Sequence, residues 1–211
     1  MGSLIYLVPT ARCDVAATIG ILARCLSFPT LQMEKEADRC LRYVYSTSNL
    51  GIIFNGSKGA ALTSYSDSDW AVRHSTTGFC IIFAGAPVGY SSKRQHCIAL
   101  SSTEAEVMAA SQAATEVVYF QGILRDLGMY QGVPTPLHID NTGAEELARE
   151  LKFCSRSRHI TRRNLKVREL EADEIVRVAR VATNDNPADI PTKPILTSAL
   201  IRHRDTLMLP E

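Results

Sequence analysis

Apolar residues recur at helical spacing in two early stretches of the chain. Ile19, Leu22 and Leu26 line one side of a segment from Val15 to Ser27, and Asp14 stands where a helix cap belongs. Met33, Ala37, Leu41 and Val44 form a second stripe, preceded by Thr30 as its cap. At Leu50 the period changes. LGIIF (50–54) reads as a strand, Asn55-Gly56 as a turn, and Ala61 to Ser66 as a further strand running into Asp67-Ser68-Asp69. The runs Phe79 to Phe83 and Val88 to Ser92, joined through Gly85-Ala86-Pro87, read as a hairpin. From Ser101 the helical period returns: Ser101-Ser102-Thr103-Glu104 fits a capping box, Val107, Ala110, Ala114, Val117 and Leu124 make the apolar face, and Gly128 ends the helix. A strand over Pro136–Ile139 then leads into Asp140-Asn141 and a helix from Ala144 to about Leu151. Another helix ends near Ala172, a half-buried strand runs from Ile175 to Val181, and Asn186-Pro187 opens a short helix holding Asp189. The predicted order is β-β-β-α-β-α-α-β-α after a helical preface.

The 211 residues are 45% hydrophobic and 21% charged, a globular composition that excludes disordered, collagen-like and coiled-coil classes. Turn residues at 56–59 place a boundary there. The expected division is a helical segment over 1–56, an α/β domain over 57–195 and a helical tail over 196–211. The run from Gly78 to Tyr90 is too short to cross a bilayer, so no membrane span is expected, and the N-terminal stretch lacks the positive region of a secretion signal. A cytoplasmic or nuclear protein is expected. The six cysteines contain no CxxC pair, so they read as reduced core thiols and not as a zinc site or a disulfide framework. With a net charge of +1, any nucleic-acid surface must come from local segregation of charge.

Four carboxylates fall at suggestive points of this order: Asp67 on a strand, Glu106 on the long helix, Asp140 at a strand end, and Asp189 at a helix start. Singly each has an ordinary explanation, as a turn acid, an Asx turn or a complement to the helix dipole. Glu104 is accounted for by capping, whereas Glu106 has no capping role. Gathered together, four acids repel one another unless hard divalent cations neutralise them. Two such ions can hold a phosphate, activate water and stabilise a leaving oxygen. The chemistry that follows is phosphodiester hydrolysis.

The segments YSDSDWA (65–71), STTGFCIIFAGAPVGYSSKRQHCIALSSTEAEVMAA (75–110), HIDNTGA (138–144), SRSRHI (155–160), VRELEADEIV (167–176) and NPADIPTKP (186–194) resemble, in order, the ribonuclease H domain of copia-type retrotransposon polyproteins. GSLIYL (2–7), TARCDVA (10–16) and CLRYVYSTSNLGIIF (40–54) resemble the connection joining reverse transcriptase to that domain. The resemblance implies an RNase H-like mixed five-stranded sheet flanked by helices, and a metal-dependent endonuclease that cuts the RNA strand of RNA–DNA hybrids. It implies two Mg²⁺ ions, with Mn²⁺ as a substitute: Asp67 and Asp189 hold one, and Asp67, Glu106 and Asp140 the other. It further implies a reverse transcriptase neighbour and a location within virus-like particles. Three departures stand out. The turn after Trp70 is shorter than usual, Thr161, Asn164 and Leu165 replace an acid and a Tyr-His pair, and the loop from Thr183 to Asn186 lacks a histidine, leaving His159 as the substitute. The alternative is a domesticated, non-catalytic module that binds nucleic acid or a polymerase.

From Lys152 to Arg168 the chain carries seven Lys or Arg and no acid. Lys152, Arg156, Arg158, Arg162 and Arg163, together with His159, are the candidates to follow a phosphate backbone. A hybrid duplex offers 2′-hydroxyls in its minor groove. Asn141, Ser68 and Gln112 are candidate donors to them.

Overall fold

The computed structural model describes residues 1–71, 73–143, 145 and 158–210. Three helices come first, α1 (Gly2–Thr10), α2 (Ala16–Ala23) and α3 (Leu31–Ser46), followed by β1 (Leu50–Gly51). Then come β2 (Thr63–Asp69), β3 (Thr76–Phe83), β4 (Ala86–Arg94), α4 (Ser102–Asp126) and β5 (Thr135–Ile139). The rest comprises α5 (Arg158–Ala172), β6 (Val176–Arg180), α6 (Asp189–Thr192), α7 (Thr197–Leu207) and β7 (Leu209–Pro210). One sheet has the order β4-β3-β2-β5-β6; its first three strands are antiparallel, and β5 and β6 continue it in parallel. The fold class expected from the sequence is the one observed.

Local chemistry explains the main elements. Ala84 and Gly85 both have positive φ, the combination that a two-residue hairpin turn of native twist requires, so β3 and β4 turn one residue earlier than the sequence suggests. Ser101 caps α4 by accepting from Glu104 N at 3.2 Å, and the Glu104 carboxylate accepts from Leu100 N at 2.6 Å. At the other end Gly128, with φ +74, lets Met129 N reach back to Leu124 O at 2.7 Å. The α4 stripe Val107, Ala110, Ala114, Val117 and Leu124 lies on one sheet face. It packs there with Phe79, Ile81, Leu137, Ile139, Val176 and Val178, and with Val167 of α5. Burial of these aliphatic side chains, at about 25 cal/mol per Å² of apolar area, is the main force holding α4 to the sheet.

The opposite face is covered at its β2-β3-β4 side. Cys13, from the turn before α2, is buried with Cys80 of β3, Ile190 of α6, and Leu207 and Met208 at the end of α7. Tyr90 of β4 also donates its hydroxyl to Val8 O in α1. The first helices therefore share a core with the sheet. Farther along this face, Tyr65 and His138 stack at 4.7 Å, both half-buried.

The preface departs from expectation in three places. Residues 2–10 form a helix despite Pro9 in its last turn, because Leu4 is buried against Val15, Ile19 and Cys40. Asp14 does not cap α2. Its carboxylate is gripped by Arg12 at 2.9 and 2.8 Å and accepts from the Tyr43 hydroxyl at 2.8 Å, a buried charge satisfied on several sides. The expected strand LGIIF shrinks to Leu50–Gly51, which pairs with Leu209–Pro210, while Ile53 and Phe54 are exposed. Thr30 does cap α3, accepting from Met33 N at 3.3 Å. Leu22 is buried, whereas Leu26 and Leu41 are about half exposed. Cys13, Cys40 and Cys80 are buried free thiols; Cys25 and Cys97 are only half-buried, and Cys154 lies outside the described residues. Among the described residues no helix is long and apolar enough to cross a membrane.

Candidate active site

The site forms where strand order and strand direction meet. β2 and β5 run parallel, with Tyr65 beside His138, so two residues further on Asp67 and Asp140 emerge side by side at the carboxyl ends of both strands. Asp189 arrives from the back face as the first residue of α6. Asn186 fixes that approach: its side-chain amide donates to Ser66 O at 3.0 Å, and its carbonyl accepts from Ala188 N at 3.2 Å. Asn186 thus acts three residues ahead of the helix, and Ala188, not Asn186, occupies the cap. One oxygen each of Asp67, Asp140 and Asp189 lies within 4.8 Å of the other two.

Close approach of α6 depends on the residue opposite Asp67. Gly78 faces Asp67 across β2 and β3, and a Cβ there would lie 2.1 Å from Thr192 Oγ1 and 3.0 Å from Ala188 O. Gly78→Ala is therefore expected to push α6, and Asp189 with it, off the sheet. Overpacking of this kind costs about 1–3 kcal/mol. A thermal melt should show a loss of several degrees, and the metal affinity of the cluster, measured by calorimetry, should fall about tenfold or more. A melt and an affinity both unchanged would mean that α6 tolerates a methyl at this contact.

Glu106 reaches the same neighbourhood from α4 but stands outside the aspartate triangle. Its Oε1 accepts from Ser68 N at 3.2 Å and Ser68 Oγ at 2.9 Å, while Oε2 is buried with no hydrogen-bond partner. Ser68, a candidate substrate donor from the sequence, is thus engaged in orienting Glu106. Burial, followed by the nearby charge of Asp67 and then Asp140, pushes the Glu106 carboxyl up to about 8. Burial likewise pushes Asp67 up to about 7; the ammonium of Lys193 opposes this, and the charges of Asp189 and Asp140 add to it.

Lys193 is the functional residue that sequence reasoning missed. Its Nζ lies 2.8 Å from Asp189 Oδ1 and 3.3 Å from Asp67 Oδ2. Burial by itself lowers its pKa, but the two carboxylates overcome this and raise it, so the ammonium is retained. The available signal was the i, i+4 spacing from Asp189 to Lys193, which places the two side chains on one side of a helical turn.

The proposed nucleic-acid residues are described less completely. Asn141 follows Asp140 and opens a helical turn in which Glu145 N donates to Asn141 O at 3.0 Å. Lys152 and Arg156 lie outside the described residues, as does most of the helix expected from Ala144 to Leu151. Arg158 and His159 open α5, and further along that helix Arg162 is exposed and Arg163 half-buried.

A cluster of aspartates at the parallel strand ends of a β4-β3-β2-β5-β6 sheet, backed by a helical glutamate, defines an RNase H-like protein. Among solved structures, LC11-RNase H1 from compost matches with a TM-score of 0.50 and 13% identity, over 68% of this chain and 98% of that one. The Pol polyprotein of transposon TNT 1-94 of Nicotiana tabacum is 34% identical over 197 residues, covering 92% of this chain. Along nearly its whole length the chain is homologous to copia-type retrotransposon Pol polyproteins, and it spans about 15% of the length of the tobacco relative. A stretch of 123 residues, 56% of the chain, is also 40% identical to secreted RxLR effector protein 161 of Plasmopara viticola, and covers 87% of that protein. No family model matches the chain.

Proposed function

We propose that this protein is a divalent-metal-dependent endonuclease that hydrolyses the RNA strand of RNA–DNA hybrids. The observation that carries this is the convergence of Asp67, Asp140 and Asp189 within 4.8 Å, beside a buried glutamate with one unpartnered oxygen. An all-oxygen, multiply acidic donor set suits Mg²⁺ or Mn²⁺, and a cation offsets both the burial and the mutual repulsion that otherwise raise Asp67 and Glu106. Asp67 and Asp189 would hold one ion, and Asp67, Glu106 and Asp140 the other. Bound there, the ions supply a nucleophilic water of lowered pKa and stabilise charge on the phosphate and its leaving oxygen.

The chain's own residues prepare the site. Ser68 fixes the orientation of Glu106, Asn186 and Gly78 set the depth of Asp189, and Lys193 holds Asp67 and Asp189 together. Arg158, His159, Arg162 and Arg163 on α5, with Lys152, Arg156 and Asn141, supply contacts to the nucleic-acid backbone and its 2′-hydroxyls. Residues 1–56 act as the connection from a reverse transcriptase domain, 57–195 as the nuclease and 196–211 as a tail, working in the cytoplasm, in virus-like particles, or in the nucleus.

One observation favours a non-catalytic binding module instead: Lys193 already neutralises part of the acid cluster. A labelled hybrid incubated with the purified protein in Mg²⁺, in Mn²⁺ and in EDTA separates the two. Cutting of the RNA strand that requires metal supports the nuclease, and metal-independent binding without cutting at any salt concentration supports the module.

A further inference from the structure

The helical preface reaches the rim of the carboxylate edge, and does so with a guanidinium. Gly20 of α2 lies over Ser92 of β4, its missing Cβ only 3.5 Å from the serine hydroxyl. One helical turn beyond Gly20 comes Arg24, and two strand residues beyond Ser92 comes Arg94. α2 and β4 thus carry two guanidinium groups in the same direction, toward the sheet end that holds the acids. Arg24 confirms the placement by donating to Thr76 Oγ1 at 3.4 Å; Thr76 is the direct cross-strand partner of Arg94 on one side and of Asp69 on the other. Cross-strand partners point to the same face. Asp69 and Asp67, two residues apart, share it as well.

Both arginines are exposed, and neither forms an ion pair among the described residues. Asp69 is the acid close enough to offset them, so the group keeps a net positive charge. Arg24 titrates below its ordinary value, through burial first and then the neighbouring charge of Arg94. Two cations held together at a cost are what an anion relieves. From Asp67 to the arginine pair is two residues along a strand and two strands across, about 12 Å at the usual spacings. A nucleic-acid strand crossing the acids presents phosphates at that range.

We infer that Arg24 of the preface and Arg94 of β4 form a phosphate clamp that grips the backbone of the hybrid beside the site of cleavage. This rests on the function proposed above. The first helices would then belong to the substrate-binding surface as well as to the core of the nuclease. A planar guanidinium suits bidentate contact to phosphate, and a pair of them fixes the track of the strand.

The test is steady-state cleavage of a labelled hybrid between about 50 and about 200 mM salt. Arg24→Ala with Arg94→Ala is expected to raise KM about tenfold and leave kcat within about twofold. The slope of log KM against log salt should shrink by about one for each lost phosphate contact. Arg24→Lys with Arg94→Lys should keep the slope, because the charges remain. A thermal melt of each variant separates a folding defect from lost binding, and the lysine pair serves as the charge-retaining control. An unaltered KM and salt slope in the alanine pair, with the unsubstituted protein cutting normally, overturns the clamp alone; this is also the result if the two arginines serve an acidic protein partner. Failure of the unsubstituted protein to bind or cut the hybrid overturns the proposed function, and the clamp with it.

Discussion

Replacing Asp140 with Asn is expected to lower the rate of hybrid cleavage by a factor on the order of 10³ or more, while the affinity for the hybrid holds or improves. Asp140 is the choice because it is the aspartate of the triangle that is only half-buried. An isosteric amide there costs little packing, so lost activity is not lost fold. The substitution removes one of the carboxylate charges that press on Asp67 and Glu106. It thereby weakens repulsion of an incoming phosphate at the same time as it removes a candidate metal ligand. Single-turnover cleavage and equilibrium binding of the same labelled hybrid separate the two effects. Activity within tenfold of the unsubstituted protein would remove Asp140 from the chemistry and leave the cut to the remaining acids.

The second large effect is the response of the carboxylate cluster to pH when metal is withheld. Asp67 and Glu106 titrate near 7 and 8 in the folded protein, above the values of about 3.9 and 4.3 of an unfolded chain. For an acid whose folded pKa is raised, the native state binds the proton more tightly. Its contribution is fully present below the unfolded pKa and is lost as pH rises through the folded one. In EDTA the melting temperature is therefore expected to fall from about pH 5 to about pH 8.5, by on the order of 10 °C for a chain of this size. Mg²⁺ or Mn²⁺ reverses the sign of the electrostatic cost, so in excess metal the decline should vanish and the metal-induced stabilisation should be largest at high pH. Calorimetry with and without metal at both ends of this range measures it. A melting temperature in EDTA that is flat or rising toward pH 8.5 would mean that Lys193 alone balances the cluster.

How far the sequence spoke for itself depended on the range of the interactions. α4 was legible throughout, since its cap Ser101, its apolar stripe and its closing Gly128 are all local features, and the structure uses each of them. The four acids were legible as candidates because each stands at an element boundary, and the structure brings three of them together with Glu106 alongside. What stayed hidden was set by distant partners. Asp14 looks like a cap until Tyr43, 29 residues on, claims it. Residues 2–10 have no clean apolar period and contain Pro9, so only burial of Leu4 against later helices accounts for α1. Lys193 reads as an ordinary surface lysine until Asp67, from a strand 126 residues earlier, faces it. The arginine pair is equally silent in the sequence, since 70 residues separate positions 24 and 94.

The small β1–β7 ladder joins Leu50 to Pro210 and Gly51 to Leu209. A contact of such long range closes late in folding. During translation α1, α2 and α3 emerge before β7, and about 160 residues separate them from the strand that closes this seam. In that interval a nascent chain exposes the apolar surface of Cys13, which Leu207 and Met208 cover in the finished protein. Synthesis therefore leaves this surface open to aggregation and chaperone capture until Leu209–Pro210 reaches Leu50–Gly51.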